Sequence, residues 1–320
     1  ITLTKTSKMT AMGTYVRSSV RGFLQSNLRL KKDCIRSIAK HLQDPRFFTL
    51  VQQAKTKFLD IQRKSGVLSH KIEVNRVRLH FETTGDGDHT ILLLPGALGS
   101  SQTDFSKQLS DFNKDRFTLI ALDPRGYGKS IPPERDWPLE FLQRDADDAL
   151  ELLRKLGIEK ASILGWSDGG ITGMIAAARC PEMISRLVVW GANAYVTEKD
   201  IKLYEGMRDI SSWSENMRTP FLSLYGEKYF QQQWSNWVDA YKNYFIKRNG
   251  DICKDDLPKI KAKTLIMHGL KDPLVPLEHP DYLHSNIVGS RLYIMPEGKH
   301  NLHIKYSREF IFLVEHFLGD

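Results

Sequence analysis

Ile163-Leu164-Gly165-Trp166-Ser167-Asp168-Gly169-Gly170-Ile171 is the stretch on which the reading of this 320-residue chain turns. An apolar run, Ala161 to Leu164, leads into Gly-x-Ser-x-Gly, and a helical period of Ile171, Met174, Ile175 and Ala178 leads away from it. A serine held in a tight turn between strand and helix has its hydroxyl lifted above the sheet. Gly165 and Gly169 leave room where side chains would collide with neighbouring backbone. The pentapeptide alone is a moderate signal; its strand and helix context makes Ser167 a candidate nucleophile.

A serine hydroxyl attacks only when a base takes its proton, and the base must be oriented by an acid. Downstream, Thr264 to Met267 reads as a strand with Asp272-Pro273 in the loop beyond it, and Arg291 to Met295 as the next strand with Pro296-Glu297-Gly298-Lys299-His300 after it. Catalytic groups of open α/β sheets gather at such strand ends. Asp272 is therefore the expected orienting acid and His300 the expected base. His268, at a strand end, reads as a packed residue. His303, His279, His284 and His316 lie three beyond the candidate or on helices and loops, and Asp281, Asp255 and Asp256 are fallback acids. Acyl transfer also needs N–H donors for the oxyanion, one after the nucleophile and one from the loop after an earlier strand. Here these are Asp168 and, within Pro95-Gly96-Ala97-Leu98-Gly99-Ser100, Ala97 or Leu98. Losing one such donor costs about 2.7 to 4 kcal/mol of transition-state stabilisation.

The flanking sequence supplies the sheet. Val77, Leu79 and Phe81 alternate with Arg78, His80 and Glu82, which predicts a half-buried strand in an antiparallel hairpin turning at Asn75 and Arg76. Short apolar runs without alternation follow, Ile91 to Leu94, Phe117 to Leu122, Ala161 to Leu164, Arg186 to Trp190, Thr264 to Met267 and Arg291 to Met295, as expected of strands covered on both faces. Helical periods between them, such as Leu139, Leu142, Ala146, Ala149, Leu153 and Leu156, imply βαβ crossovers and a mainly parallel sheet. Residues 196–260 break the rhythm with many aromatics and no strand-like run, predicting a helical insertion over the sheet, some of whose rings should wall a cleft.

With the elbow, Asp123-Pro124-Arg125-Gly126-Tyr127-Gly128-Lys129-Ser130, Trp190-Gly191-Ala192-Asn193-Ala194-Tyr195 and Gly298-Lys299-His300-Asn301-Leu302-His303 together resemble the α/β-hydrolase family from about Val74 to Phe317. The resemblance implies an eight-stranded, mostly parallel sheet with helices on both faces, formed by residues 66–195 and 261–320 under a helical lid of residues 196–260. It also implies a serine esterase acting on amino-acid esters, with a mitochondrial location in animals, and an aspartate at position 168 that binds the substrate amine. Physically, a carboxylate beside the nucleophile is unhelpful to a developing oxyanion unless it also holds a cation on the substrate, so Asp168 suggests an α-ammonium partner. The bland alternative is that Asp168 caps the helix starting at Gly169. Asn193 and Tyr195, at the end of the next strand, are candidates for lining the acyl pocket, and the Asp123-to-Ser130 loop reads as structural.

Composition bounds the rest. Apolar residues are 41% and charged residues 26%, near globular averages, and no run approaches the roughly 20 apolar residues of a membrane span. The net charge of +8 is uneven: residues 1–65 carry 14 Lys+Arg against 3 Asp+Glu, leaving 32 against 35 beyond them. Met9 to His41, basic and poor in acids with Val16, Val20, Phe23 and Leu24 at helical spacing, reads as a mitochondrial targeting segment; without it a cytoplasmic location is expected. Cys34, Cys180 and Cys253 show no disulfide framework or metal spacing. The expectation is a monomer that needs no cofactor and no metal, takes a small-molecule ester with a free α-amino group, and engages neither nucleic acid nor membrane stably. A dehalogenase of the same fold would want Asp at position 167. A C–C hydrolase of meta-cleavage products and a non-catalytic ligand-binding protein are the alternatives.

Overall fold

The computed structural model describes residues 66–320, so the basic segment and its targeting reading lie outside the described residues. The chain runs β1 (Leu68–Val74), β2 (Val77–Thr84), β3 (His89–Leu94), α1 (Ser101–Asp111), β4 (Phe117–Asp123), α2 (Phe141–Lys155), β5 (Ala161–Trp166), α3 (Asp168–Arg179) and β6 (Ile184–Trp190). Then come α4 (Glu198–Gly206), α5 (Glu215–Tyr225), α6 (Glu227–Arg248), β7 (Lys263–Gly269), α7 (Glu278–Asn286), β8 (Arg291–Met295), α8 (Leu302–Lys305) and α9 (Ser307–Gly319). The eight strands form one sheet in the order β1-β2-β4-β3-β5-β6-β7-β8. β2 is antiparallel to β1 and β4, and every pairing from β4 to β8 is parallel.

The unbroken apolar runs are explained by the two faces they serve, since successive strand residues point to opposite sides. Leu92, Ile163, Leu187 and Ile266 join one apolar cluster with α2 and α3, whereas Leu93, Leu164, Val188 and Leu265 join a second with α1 and α9. Asn75 and Arg76 form the hairpin turn between Val74 and Val77, both at positive φ as a tight two-residue connection requires. β2 departs from the expected half-buried strand: His80 and Glu82 are buried as well as Leu79 and Phe81. β2 lies inside the sheet, and its second face is covered by α1. There His80 is satisfied by Asp123, at 2.8 Å from Nδ1, and by Ser69, at 2.8 Å from Nε2.

The Asp123-to-Ser130 loop acts as a rim. The Asp123 carboxylate accepts the N–H groups of Ser101 (2.7 Å) and Lys129 (2.8 Å), joining β4, the start of α1 and its own loop. Between β6 and β7 the chain is helical, as expected for residues 196–260, but the short helical turn Lys254–Lys259 packs against α3 of the sheet layer, with Leu257 fully buried. The helices α4 to α6 contribute residues to the same cleft as the chain that follows β3 and β5.

Candidate active site

Ser167 follows the last residue of β5 with φ 55 and ψ −121, a conformation that costs a non-glycine residue of order 1–3 kcal/mol and keeps the side chain clear of the sheet. Its N–H is held by Trp190 O at 3.0 Å. The turn is possible because a Cβ at Gly165 would lie 2.3 Å from Gly169 O, and one at Gly169 would lie 2.1 Å from Leu94 O. Both obstacles are backbone. Gly169→Ala is therefore expected to push α3 off the end of β3 and to destabilise the protein by about 3 kcal/mol, which thermal melting would read as a Tm lower by roughly 10 °C.

β7 and β8 end side by side, Gly269 opposite Met295, and the loops beyond them are buttoned together by Leu270 N–H to Met295 O and Lys271 N–H to Gly298 O, each 2.9 Å. This brings Asp272 to His300. Asp272 Oδ1 accepts the N–H groups of Leu274 (2.8 Å) and Val275 (3.1 Å), which leaves Oδ2 to accept from His300 Nδ1 at 2.8 Å. Burial alone would raise the Asp272 carboxyl, but the charge and hydrogen bond of His300 and the Leu274 N–H outweigh it and hold the carboxyl below its ordinary value. A carboxylate that stays ionised fixes the proton on Nδ1 and presents Nε2 as an acceptor. Trp166, the variable residue before the serine, donates its indole N–H to His300 O at 2.9 Å and so ties the elbow to the histidine loop.

The rival histidines are engaged elsewhere. His303 accepts from Trp190 Nε1 at 2.9 Å and donates from Nε2 to Asp104 O at 3.1 Å, and burial pushes it down to about 3. His279 pairs with Asp200 at 3.0 Å, and His268 is buried at the end of β7, as the packed reading expected.

Ser167 and His300 line one cleft of about 330 Å³, to which α4 to α6 contribute the rings of Tyr204, Phe221, Trp234, Trp237 and Tyr241, a volume suited to a small ligand. Asp168 lines it too. It does not cap α3: Trp237 donates to Oδ2 at 2.9 Å and Tyr241 to Oδ1 at 2.6 Å. Burial pushes its carboxyl up to about 6, with the Tyr241 and Trp237 hydrogen bonds opposing the rise. Around it Trp234 stacks on Trp237 (4.5 Å, 15°), and Tyr204 packs 4.9 Å from Trp237 and 5.4 Å from Tyr241. A buried carboxylate with lone pairs left over beside the Trp237 and Tyr241 donors, in the wall of a cleft, is an arrangement that suits a cation.

Of the two expected loop donors, Ala97 is among the residues that line the cleft, with Gly96, and Leu98 is not. Asn193 lines the cleft, its amide donating to Tyr195 O at 2.6 Å. Tyr195 does not line it, contrary to expectation. After Asn193 the chain is stitched to residues 250–253, through Ile252 N–H and Cys253 N–H to Ala194 O at 3.1 Å, and the Tyr195 ring turns onto His279 and Tyr282 of α7. The fallback acids Asp255 and Asp281 are exposed. Among the described residues no cluster of His, Cys, Asp and Glu suits a metal ion, and no helix is long and apolar enough to cross a membrane. Reasoning from sequence did not single out Trp237, Tyr241, Asp104 or Trp166. The one available signal was the indole at position 166, whose N–H needs a partner when partly buried.

A family model described as alpha/beta hydrolase fold matches residues 89–209. Serine hydrolase BPHL of Homo sapiens is 53% identical over 254 residues, covering 79% of this chain and 87% of the relative, and the Mus musculus protein of that name matches to the same extent. A 2-hydroxy-6-oxononadienedioate/2-hydroxy-6-oxononatrienedioate hydrolase of Comamonas testosteroni is 25% identical, covering 85% and 99%. Among solved structures, the meta-cleavage product hydrolase CumD from Pseudomonas fluorescens IP01 superposes with a TM-score of 0.66 at 21% identity over 78% of this chain and 97% of its own. With this fold, a serine on the elbow and relatives of this closeness, the chain is a serine hydrolase and belongs to the α/β-hydrolase family.

Proposed function

We propose that the protein hydrolyses esters of α-amino acids through an acyl-enzyme, with Ser167 as nucleophile, His300 as base and then acid, and Asp272 as the acid that orients it. The observation that carries the substrate class is Asp168: a buried carboxylate in the wall of the cleft, next in sequence to the nucleophile and held by the Trp237 indole and the Tyr241 hydroxyl. The substrate ammonium pairs with Asp168 while its carbonyl lies over Ser167 Oγ, and the N–H groups of Asp168 and Ala97 receive the oxyanion. His300 Nε2 takes the serine proton, returns it to the leaving alcohol, and then activates water to release the amino acid. The helices α4 to α6 serve as the lid, excluding water from the charge pair and strengthening it.

The test compares kcat/KM for a valine or phenylalanine ester with that of its N-acetyl form. A strong preference for the free amine is expected; equal turnover of both would remove the ammonium site from the reading. Turnover of neither would favour C–C bond hydrolysis, the activity in the name of the Comamonas relative, although a carboxylate beside Ser167 repels the anionic substrates that reaction uses.

The preference should itself depend on pH. Asp168 is ionised above about 6 and loses its charge as the pH falls through that value, so the ratio of the two kcat/KM values should decline about tenfold per unit below it. Titration of the triad affects both substrates and cancels in the ratio. A ratio that stays flat between pH 5 and 7 would show that Asp168 does not carry the preference.

A further inference from the structure

The loop between β3 and α1 is gripped from two sides. From the sheet layer, Asp104 Oδ2 accepts the Gly96 N–H at 3.0 Å while Oδ1 accepts the Thr103 hydroxyl at 2.7 Å. From the helices above, Tyr225, the last residue of α5, donates its hydroxyl to Leu98 O at 2.8 Å and accepts the Gly128 N–H at 2.8 Å. The peptides bearing the Ala97 and Leu98 N–H groups lie between these two grips. Leu98 stands at φ 56, a left-handed conformation that a leucine keeps only when its surroundings impose it. Burial drives the Tyr225 hydroxyl well above its ordinary value, so it remains a donor throughout the working range.

We propose that Tyr225 is a positioning residue: by bridging Leu98 O and Gly128 N–H it makes the aim of the oxyanion donors depend on α5 being seated over the cleft. This rests on the serine-hydrolase reading of the same site. α5 has no fully buried residue: Met217, Pro220 and Phe221 line the cleft, Phe221 stacks on Phe230 of α6 at 5.1 Å, and Tyr225 is the side chain that ties the helix to the oxyanion loop. A ligand that seats α5 thereby also tightens the oxyanion loop. Asp104 grips the loop from the sheet layer and does not respond to the position of α5.

The experiment uses the full chain as wild type, Tyr225→Phe and Gly226→Ala. Gly226 ends α5 at φ 71 and ψ 160, where only glycine is at ease, so alanine there disturbs the seating of α5 without removing a side chain from the loop. Four quantities are read: kcat and KM for p-nitrophenyl acetate, which has no amine; the rate of labelling by a fluorophosphonate; the Kd of valinol; and Tm. Complete loss of an oxyanion donor lowers kcat by about 10² to 10³, so misaiming one should lower kcat, and the labelling rate with it, by about tenfold. KM and the valinol Kd should stay within about twofold, and both variants should show the same pattern. A lower Tm with unchanged kcat and labelling, or a change confined to KM, overturns the proposal by reducing Tyr225 to a packing residue. A wild type that the fluorophosphonate does not label sinks the serine-hydrolase reading itself, whereas equal labelling of wild type and both variants sinks only the role of Tyr225.

Discussion

Ser167→Ala is expected to lower kcat for an amino-acid ester by about 10⁶-fold, because a triad acts as a unit and loses nearly everything with its nucleophile. The substitution removes one oxygen and leaves the Asp272–His300 hydrogen bond, the Trp166 tie and the hydrogen bonds to Asp168 in place. Alanine at φ 55 carries the strain that serine already bears, so the melting temperature should hardly move. The variant should therefore bind an amine-bearing ester without turning it over, which isothermal calorimetry and a stopped assay on the same preparation would show. Loss of binding together with turnover would mean that the change had disturbed more than the nucleophile.

Asp168→Asn is expected to have the second largest effect, and on one substrate only. Truncating one partner of a buried charge pair costs about 2 to 5 kcal/mol, so kcat/KM for the free-amine ester should fall by roughly 10² to 10³-fold. The N-acetyl ester should hold its rate or gain, since a negative charge has been taken away from beside the developing oxyanion. The fold should tolerate the change: the asparagine carbonyl can still accept from Trp237, and its amide can donate to the Tyr241 oxygen, which a hydroxyl permits and an indole would not. Parallel losses on both esters would place Asp168 among residues that merely shape the elbow.

The meeting of Asp272 with His300, and of His300 with Ser167 along one cleft, was legible because the residues concerned announce themselves locally. The elbow needs small residues at two fixed positions, and the acid and base must follow later strands at their C-terminal ends. The sheet was legible for a similar reason: strands covered on both faces lose their alternation, and six such runs became β3 to β8. What surrounds Asp168 was not legible. Tyr241 lies 73 positions away in sequence and sits among eleven aromatic residues of the 196–260 segment, and which rings turn inward is settled by which face of α6 lines the cleft. The Tyr195 error has a comparable origin. Its position just past β6 is adjacent to the site, but the backbone bonds from Ile252 and Cys253 to Ala194 turn the chain away one residue too soon. Likewise His80 and Glu82 looked solvent-facing by their chemistry, and only the placement of α1 over β2 shows them as buried polar groups with partners.

The order of the strands also bears on when the protein becomes reactive during its synthesis. The nucleophile follows β5, while its acid and base follow β7 and β8, and positions 167 and 300 stand 133 residues apart in the chain. Contacts of such long range form late, because the loops they close must first surrender their freedom. As the chain emerges from the ribosome at about 5 to 20 residues per second, Ser167 spends many seconds as an ordinary hydroxyl with no base near it. A nascent or half-folded copy is thus chemically silent, and hydrolase reactivity arrives only with the last parallel strand.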